Sequence, residues 1–160
     1  MPVDHALDAL AEPERTLGRW VGVDARERVE RLWEARCLRD VGVFCLGEDI
    51  GAFGGAFKVT EGLMAKYGED RVIDSPISEI AIVGAAAGAA HMGMRPVVEM
   101  QFIDFIANAY DILTNYVATA RYRAFLPCPM VVRGPSGGYV RGGPFHSQNP
   151  EAAFLHTPGL

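Results

Sequence analysis

The sequence predicts an α/β fold, a three-layer helix–sheet–helix sandwich built around a mainly parallel sheet. Short apolar runs alternate along the chain with segments of helical periodicity, and such alternation is typical of parallel strands joined by right-handed crossovers. The predicted strands are Val41–Leu46, Arg71–Asp74, Pro96–Gln101 and Pro129–Arg133. The length of 160 residues and the hydrophobic content of 49% suit one globular domain. We place this domain at residues 25–160, after an N-terminal extension over residues 1–24.

The predicted helices lie between these strands. Over residues 25–40, apolar residues share one helical face and charges cover the other, as in an amphipathic helix resting on a sheet. A second helix is predicted after Thr60 as its N-cap, with Gly68 at its C-cap position. A third, rich in small residues, begins near Glu79, and a fourth spans residues 105–123. The order of the strands does not follow from the pattern.

Composition limits the partners and the compartment. The net charge of −5 argues against nucleic acid or an anionic membrane as the main partner, because both favour basic surfaces. The longest apolar run, residues 80–90, is shorter than the ~20 residues that span a bilayer. Acids stand near the N-terminus where a signal peptide carries positive charge, so a cytoplasmic location is expected. The cysteines and histidines show no metal-ligand spacing, and no metal site is predicted.

Acidic side chains follow the first predicted strand. Glu48 and Asp49 come directly after its apolar run. Ligands bind at the carboxyl edge of open α/β sheets, so these acids are candidates for a site. The glycine-rich segment 51–55 lacks the spacing of a dinucleotide fingerprint and the lysine of a P-loop. We interpret it as a flexible rim rather than a phosphate cradle.

Two further residues have both a structural and a functional interpretation. Glu79 opens an otherwise apolar helix after the turn at Ser75-Pro76, where the helix dipole alone favours a carboxylate. His146 lies at the end of a glycine-rich loop that begins after Arg133, and a single loop histidine is ordinarily solvated. From local pattern alone, Glu79 can be interpreted either as a helix-start acid or as a functional acid. His146 can likewise be interpreted either as a solvated residue or as a catalytic one.

Motifs spread over most of the chain form a recognisable series. They include Gly47-Glu48-Asp49, Ser75-Pro76-Ile77-Ser78-Glu79, Glu99-Met100-Gln101-Phe102, Arg133-Gly134-Pro135, His146-Ser147-Gln148 and Pro158-Gly159-Leu160. Through these motifs the chain resembles the first half of the beta subunit of thiamine-diphosphate-dependent 2-oxoacid dehydrogenases of the pyruvate and branched-chain type. The resemblance implies a transketolase-like pyrimidine-binding domain.

The resemblance also implies roles for individual residues. Glu79 matches the acid that hydrogen-bonds the pyrimidine ring nitrogen of thiamine diphosphate, and Glu48 matches a second acid of that site. The cofactor-binding wall is implied to contain Ile77, Ser78, Gln101 and Phe105. The positions implied to meet substrate or the lipoyl group are Phe102, Asp104, Phe105 and His146. Glu79 and His146 are the implied catalytic residues. An acid in the role of Glu79 needs burial to hold a proton against the helix dipole, and we expect the small-residue helix and the aromatic wall to supply it.

The implied activity is oxidative decarboxylation of a 2-oxoacid with acyl transfer to a lipoyl group. The implied partners are an alpha subunit, a second beta chain, as in a heterotetramer, and a lipoyl acyltransferase. The sequence contains no Gly-Asp-Gly motif, so Mg²⁺ is expected on the alpha partner.

The chain departs from the family in its extent. It stops at Leu160, where the family continues into a last strand and a C-terminal domain. We therefore expect a truncated domain that is inactive without the alpha partner and the missing half. The alternatives are a non-catalytic fragment or remnant of that subunit and another transketolase-like thiamine enzyme. The sequence does not indicate which 2-oxoacid is used.

Overall fold

A computed structural model describes residues 40–138 and 141–160. The predicted extension over residues 1–24 and the predicted amphipathic helix over residues 25–40 lie outside this range, apart from Asp40. Residues 41–160 form one compact unit.

The described strands pair in one parallel sheet. They are β1 (Val43–Gly47), β2 (Val72–Asp74), β3 (Arg95–Glu99) and β4 (Val131–Arg133), in the order β2-β1-β3-β4. The predicted parallel α/β class is confirmed, with strand limits displaced by one or two residues. In the central pair, Val43 lies opposite Arg95 and Gly47 lies opposite Glu99. The chain thus moves outward from β1 to β2 and then returns past β1 to β3.

The helices connect these strands. They are α1 (Leu63–Tyr67), α2 (Glu79–His91), a 3-10 helix (Ile103–Ala109), a π-helical segment (Ile112–Val117), α3 (Ala118–Ala124) and a short 3-10 helix (Pro150–Ala153). The predicted helix over residues 105–123 is therefore helical but irregular. The hydroxyls of Thr114 and Thr119 donate to carbonyls four residues earlier, at 2.8 and 2.7 Å. Such back-bonding competes with the regular helical ladder and is typical of distorted helices.

The start of α1 corrects the predicted cap. Gly62, not Thr60, holds the N-cap position, with φ at 80°. The Thr60 hydroxyl instead donates to the carbonyl of Ile50 at 2.6 Å and is fully buried. Thr60 therefore connects the segment before α1 to the loop after β1, because its hydroxyl donates to a carbonyl of that loop. Gly68 is the C-cap, as predicted.

The core lies between the sheet and the helices that follow β2 and β3. Its buried residues are Phe44, Leu46, Ile82, Val83, Ala86, Val98, Met100, Ile106, Ala109 and Leu113. Small residues on α2 allow this helix to lie close to the sheet, since Ala86 and Ala87 are fully buried. Within the described ranges, no helix has the length and hydrophobicity to cross a membrane.

The close contact between β1 and β3 generates a stability prediction. A Cβ at Gly47 would lie 2.7 Å from the carbonyl oxygen of Glu99, so Gly47→Ala should lower the free energy of unfolding by ~1–3 kcal/mol. The matched control is Gly88→Ala in α2, where a Cβ meets nothing within 4 Å. The control should raise stability by ~0.5–1 kcal/mol, as alanine does in a helix interior. Urea unfolding measures both, and a Gly47→Ala chain as stable as the control would contradict the contact.

Candidate active site

The carboxyl edge of the sheet collects charged side chains from every strand. Glu48 and Asp49 follow β1, Asp74 ends β2, Glu99 ends β3 and Arg133 ends β4. The strand order reverses between β1 and β3, and this switch point is where open α/β sheets bind ligands. The sequence prediction that the acids after β1 reach this edge is confirmed.

Glu48 and Glu79 lie close enough to interact electrostatically. Glu48 is buried, with 7% of its surface exposed. Burial raises the pKa of Glu48, the negative charge of Glu79 raises it further, and a hydrogen bond from the backbone N–H of Ser78 opposes both effects. The fold therefore brings together an acid pair from the end of β1 and the start of α2.

The surroundings of Glu79 differ from the expectation of full burial. Glu79 is half-buried, and its neighbours Ile77 and Ile80 expose 82% and 52% of their surfaces. No described element covers the start of α2, so the small-residue helix and the aromatic wall do not enclose Glu79 as predicted. Two exposed apolar side chains beside a carboxylate leave a surface suited to an apolar ring that carries a polar atom.

Gln101 is tied to the loop after β1. Its side-chain amide donates to a carboxylate oxygen of Asp49 at 2.9 Å. Asp49 adopts φ 54°, a left-handed conformation that is uncommon for residues other than glycine, and its carbonyl accepts the N–H of Gly55 at 2.7 Å. These bonds place Gln101 beside the acid that follows Glu48.

The glycine-rich segment after β1 is anchored, which corrects its interpretation as a flexible rim. The Asp74 carboxylate accepts the N–H groups of Gly51 and Ala52, at 2.6 and 3.2 Å. The loop is thus fixed by the end of the neighbouring strand, because a carboxylate binds two successive backbone donors.

Phe102, Phe105 and His146, which the resemblance assigns to the substrate side, contact one another, and Phe57 joins them. The centroid of the Phe102 ring lies 5.6 Å from that of Phe57, 6.3 Å from that of Phe105 and 4.6 Å from that of His146. Phe105 and His146 are 5.4 Å apart, and every pair is edge-to-face, the favoured arrangement of aromatic rings. We call Phe57, Phe102, Phe105 and His146 the aromatic cluster.

Asp104 is buried and faces the backbone of the histidine loop. One of its oxygens, Oδ1, accepts the N–H of Ser147 at 3.1 Å and that of Gln148 at 3.0 Å. The other oxygen, Oδ2, is buried without a hydrogen-bond partner in the described part of the chain. The described contacts of Asp104 are therefore with the loop that carries His146.

Sequence reasoning missed the roles of Phe57, Glu99 and Arg133. Arg133 forms an ion pair with Glu99 at 3.1 Å, and Glu99 is only 6% exposed. Burial raises the pKa of Glu99, and the positive charge of Arg133 opposes this. The sequence did contain a sign of Glu99 and Arg133, because each of these charged residues follows the apolar run of a predicted strand. Phe57 gave no signal, because its contact with Phe102 depends on the fold of the intervening chain.

The acid pair fits a polar heterocycle. Glu48 Oε1 is buried and has no hydrogen-bond partner among residues 40–138 and 141–160, so it can accept a donor from a ligand or give one when protonated. Within the same ranges, no group of three or more His, Cys, Asp or Glu side chains is placed to hold a metal ion. The chemistry of the site is thus that of two neighbouring carboxyl groups at the carboxyl edge of the sheet.

Comparison with known proteins identifies the family. The model of the transketolase pyrimidine-binding domain matches residues 22–160. The chain belongs to this family. Within it, the chain is 52% identical over 124 residues to the 2-oxoisovalerate dehydrogenase subunit beta of Bacillus subtilis, covering 76% of this chain and 38% of that protein. It is 40% identical over 140 residues to the pyruvate dehydrogenase E1 component subunit beta of Rickettsia conorii, covering 86% and 43%.

These relatives confirm the resemblance to beta subunits of 2-oxoacid dehydrogenases. The chain spans about two fifths of the length of the two relatives. Among solved structures, the domain resembles a split-gene transketolase described as an inactive beta4 tetramer, with a TM-score of 0.57 and 19% identity. That match covers 84% of this chain and 39% of the other, and it supports the transketolase-type fold.

The raised pKa of Glu48 predicts how stability depends on pH. A raised folded-state pKa contributes stability that is complete below the ordinary pKa of 4.5 and is lost as the pH rises through the folded-state value. Glu48→Gln keeps the size of the side chain and removes this titration. The variant should therefore gain stability relative to the parent chain as the pH rises from 4.5 to about 8.

Urea unfolding at several pH values measures this difference. The same substitution at the exposed Glu69, away from the acid pair, supplies a control for the general effect of removing one carboxylate. A stability difference between Glu48→Gln and the parent chain that stays constant over this range would contradict the electrostatic description of the acid pair.

Proposed function

We propose that this chain is a beta-type component of a thiamine-diphosphate-dependent 2-oxoacid dehydrogenase, which decarboxylates a 2-oxoacid and passes the acyl group to a lipoyl group. The observation that carries the proposal is the acid pair Glu48 and Glu79 at the switch point of the sheet. The similarity to 2-oxoisovalerate and pyruvate dehydrogenase beta subunits supports the same reaction class.

The cofactor-binding residues would hold the pyrimidine ring of thiamine diphosphate. Glu79 would share a proton with a ring nitrogen, and Ile77, Ser78, Gln101 and Phe105 would form the wall around the ring. When bound, the cofactor supplies an electron sink for decarboxylation. Burial and the charge of Glu79 favour the protonated form of Glu48, so this acid can donate a hydrogen bond without adding a second negative charge.

The aromatic cluster would form the substrate side of the site. His146 is half-buried and lies against Phe102 and Phe105, so its imidazole is oriented by ring contacts rather than left free in a loop. The acyl group would pass to a lipoyl disulfide, whose S–S bond breaks and accepts the two electrons: one sulfur takes the acyl group and the other takes a proton. An imidazole can donate or accept a proton near neutral pH, which suits this step. Phe105 would serve both sides, because it belongs to the proposed ring wall and contacts His146.

The proposed assembly contains further chains. An alpha subunit would supply the Mg²⁺ and diphosphate side, as the resemblance to this family implies. A second beta chain and a lipoyl acyltransferase would complete the set of partners, and the proposed location is cytoplasmic. Names of the relatives as beta subunits support an alpha partner.

Replacing the two catalytic candidates should separate their roles in a reconstituted assembly that contains an alpha partner and the C-terminal half of a beta subunit. Glu79→Gln keeps size and hydrogen bonding but removes the exchangeable acid proton. Proton exchange at the thiazolium carbon and decarboxylation should both fall by ~10²–10⁴-fold, as expected for a lost acid–base group. His146→Ala should leave this exchange nearly unchanged and slow the acyl-transfer step, because His146 belongs to the aromatic cluster. NMR of the cofactor and single-turnover kinetics measure the two steps.

A parent assembly with neither activity would support the alternative of a non-catalytic remnant. Loss of thiazolium proton exchange in His146→Ala as complete as in Glu79→Gln would show that the histidine is not confined to the substrate side. An unchanged exchange rate in Glu79→Gln would remove the proposed role of the acid.

A further inference from the structure

The segment that carries His146 is folded on itself. Within residues 142–148, which we call the histidine turn, the N–H of His146 donates to the carbonyl of Gly143 at 3.3 Å. The side-chain amide of Gln148 donates to the carbonyl of Pro144 at 2.6 Å. A Cβ at Gly142 would lie 2.6 Å from the Cβ of His146, so the backbone there packs closely on the histidine. Internal hydrogen bonds and close packing therefore define the shape of this turn.

The described attachments of the histidine turn to the domain lie at its C-terminal end and at the imidazole. Asp104 Oδ1 accepts two successive N–H groups from Ser147 and Gln148, and the carbonyl of Gln148 accepts the N–H of Gly137 at 3.1 Å. The imidazole itself makes edge-to-face ring contacts with Phe102 and Phe105. Hydrogen bonds to a carboxylate are stronger than those between neutral groups, so Asp104 is the strongest of these attachments.

Asp104 lies in the same chain segment as two members of the aromatic cluster. It lies in the 3-10 helix that follows β3, between residues whose rings belong to the aromatic cluster, and it is 9% exposed. The same short helix therefore presents Phe102 and Phe105 to the imidazole and a carboxylate to the backbone behind it. This arrangement sets both the position of the histidine turn and the surface against which the imidazole packs.

The resemblance assigned Asp104 to the positions that meet substrate. We propose instead that Asp104 is a positioning residue, which holds His146 against Phe102 and Phe105 by binding the backbone of the histidine turn and does not itself touch substrate. The catalytic consequence rests on the proposed function, whereas the anchoring itself is a property of this chain alone. Loss of the anchor should leave the fold of the sheet intact and release only the histidine turn.

Hydrogen–deuterium exchange on the 160-residue chain tests the anchoring. Asp104→Ala removes the acceptor, so exchange within residues 141–149 should accelerate on the order of tenfold or more. Asp104→Asn keeps a neutral acceptor and should give an intermediate increase, since neutral hydrogen bonds are roughly half as strong. The control Asp111→Ala changes an exposed acid nearby, bonded to Asn115, and should leave the histidine turn unchanged.

Comparison with Asp74→Ala distinguishes a local effect at the histidine turn from a general loss of stability. Asp74→Ala removes the equivalent carboxylate from the glycine-rich segment, so it should accelerate exchange within residues 50–58 and not within residues 141–149. Asp104→Ala should show the opposite pattern. Should Asp104→Ala fail to fold, Asp104→Asn decides the question. Exchange in Asp104→Asn equal to that of the parent chain would overturn the proposal.

The imidazole gives a spectroscopic readout. Edge-on rings at 4.6 and 5.4 Å shift the proton resonances of His146 through ring currents. These resonances should move toward solvent-exposed values in Asp104→Ala and only part of the way in Asp104→Asn. Resonances that keep their parent positions in both variants would show that the aromatic contacts hold the histidine without Asp104.

The catalytic consequence is tested by a double-mutant cycle in the reconstituted assembly that contains an alpha partner and the C-terminal half of a beta subunit. Asp104→Ala should slow acyl transfer and leave thiazolium proton exchange nearly unchanged, and adding it to His146→Ala should slow acyl transfer no further. Additive losses would show that Asp104 acts independently of His146 and would overturn the proposal. A parent assembly without acyl transfer would overturn the proposed function, whereas the exchange and NMR measurements would still decide the anchoring.

Discussion

The contact between the ends of β1 and β3 is the constraint on which the site depends. Gly47 lies opposite Glu99, and the absence of a side chain at Gly47 allows the two backbones to pair up to the last residue of both strands. Glu48 and Asp49 therefore leave the sheet beside the segment that carries Gln101 and Phe102. Because β1 and β3 pair in parallel, the segments that follow them lie side by side although they are distant in the sequence. The hydrogen bond between Asp49 and Gln101 joins these two segments.

Two loops rich in glycine border this edge, and a buried or strand-terminal carboxylate holds each of them. Asp74 binds Gly51 and Ala52, and Asp104 binds the backbone of the histidine turn. Glycine-rich segments lose much backbone entropy on ordering, so their positions require strong local attachments. Charge-assisted bonds to consecutive N–H groups meet this requirement without adding bulk near the site.

The sequence predicted the parts of the fold that depend on local pattern. Apolar runs located all four strands of the described sheet, and the acid after β1 reached the predicted edge. Strand order was not predicted, because pairing is decided by crossovers rather than by local composition. Thr60 was assigned as a cap because its local pattern is that of a cap, whereas its hydroxyl is satisfied by the distant carbonyl of Ile50. The bonds of Asp104 were missed for the same reason, since their partners lie more than forty residues away.

Charge distribution around the acid pair explains why this part of the edge is suited to a ligand. Asp49 is bonded to Gln101, Asp74 to backbone donors and Glu99 to Arg133. Glu48, by contrast, combines a raised pKa, the nearby charge of Glu79 and a buried oxygen that has no hydrogen-bond partner among the residues that the structure describes. A ring that covers Ile77 and Ile80 would remove water from this region and strengthen the interaction between the two acids, because the local dielectric would fall. A ligand that brings both a hydrogen-bond donor and an acceptor relieves that repulsion, and the aminopyrimidine of the proposed cofactor has both.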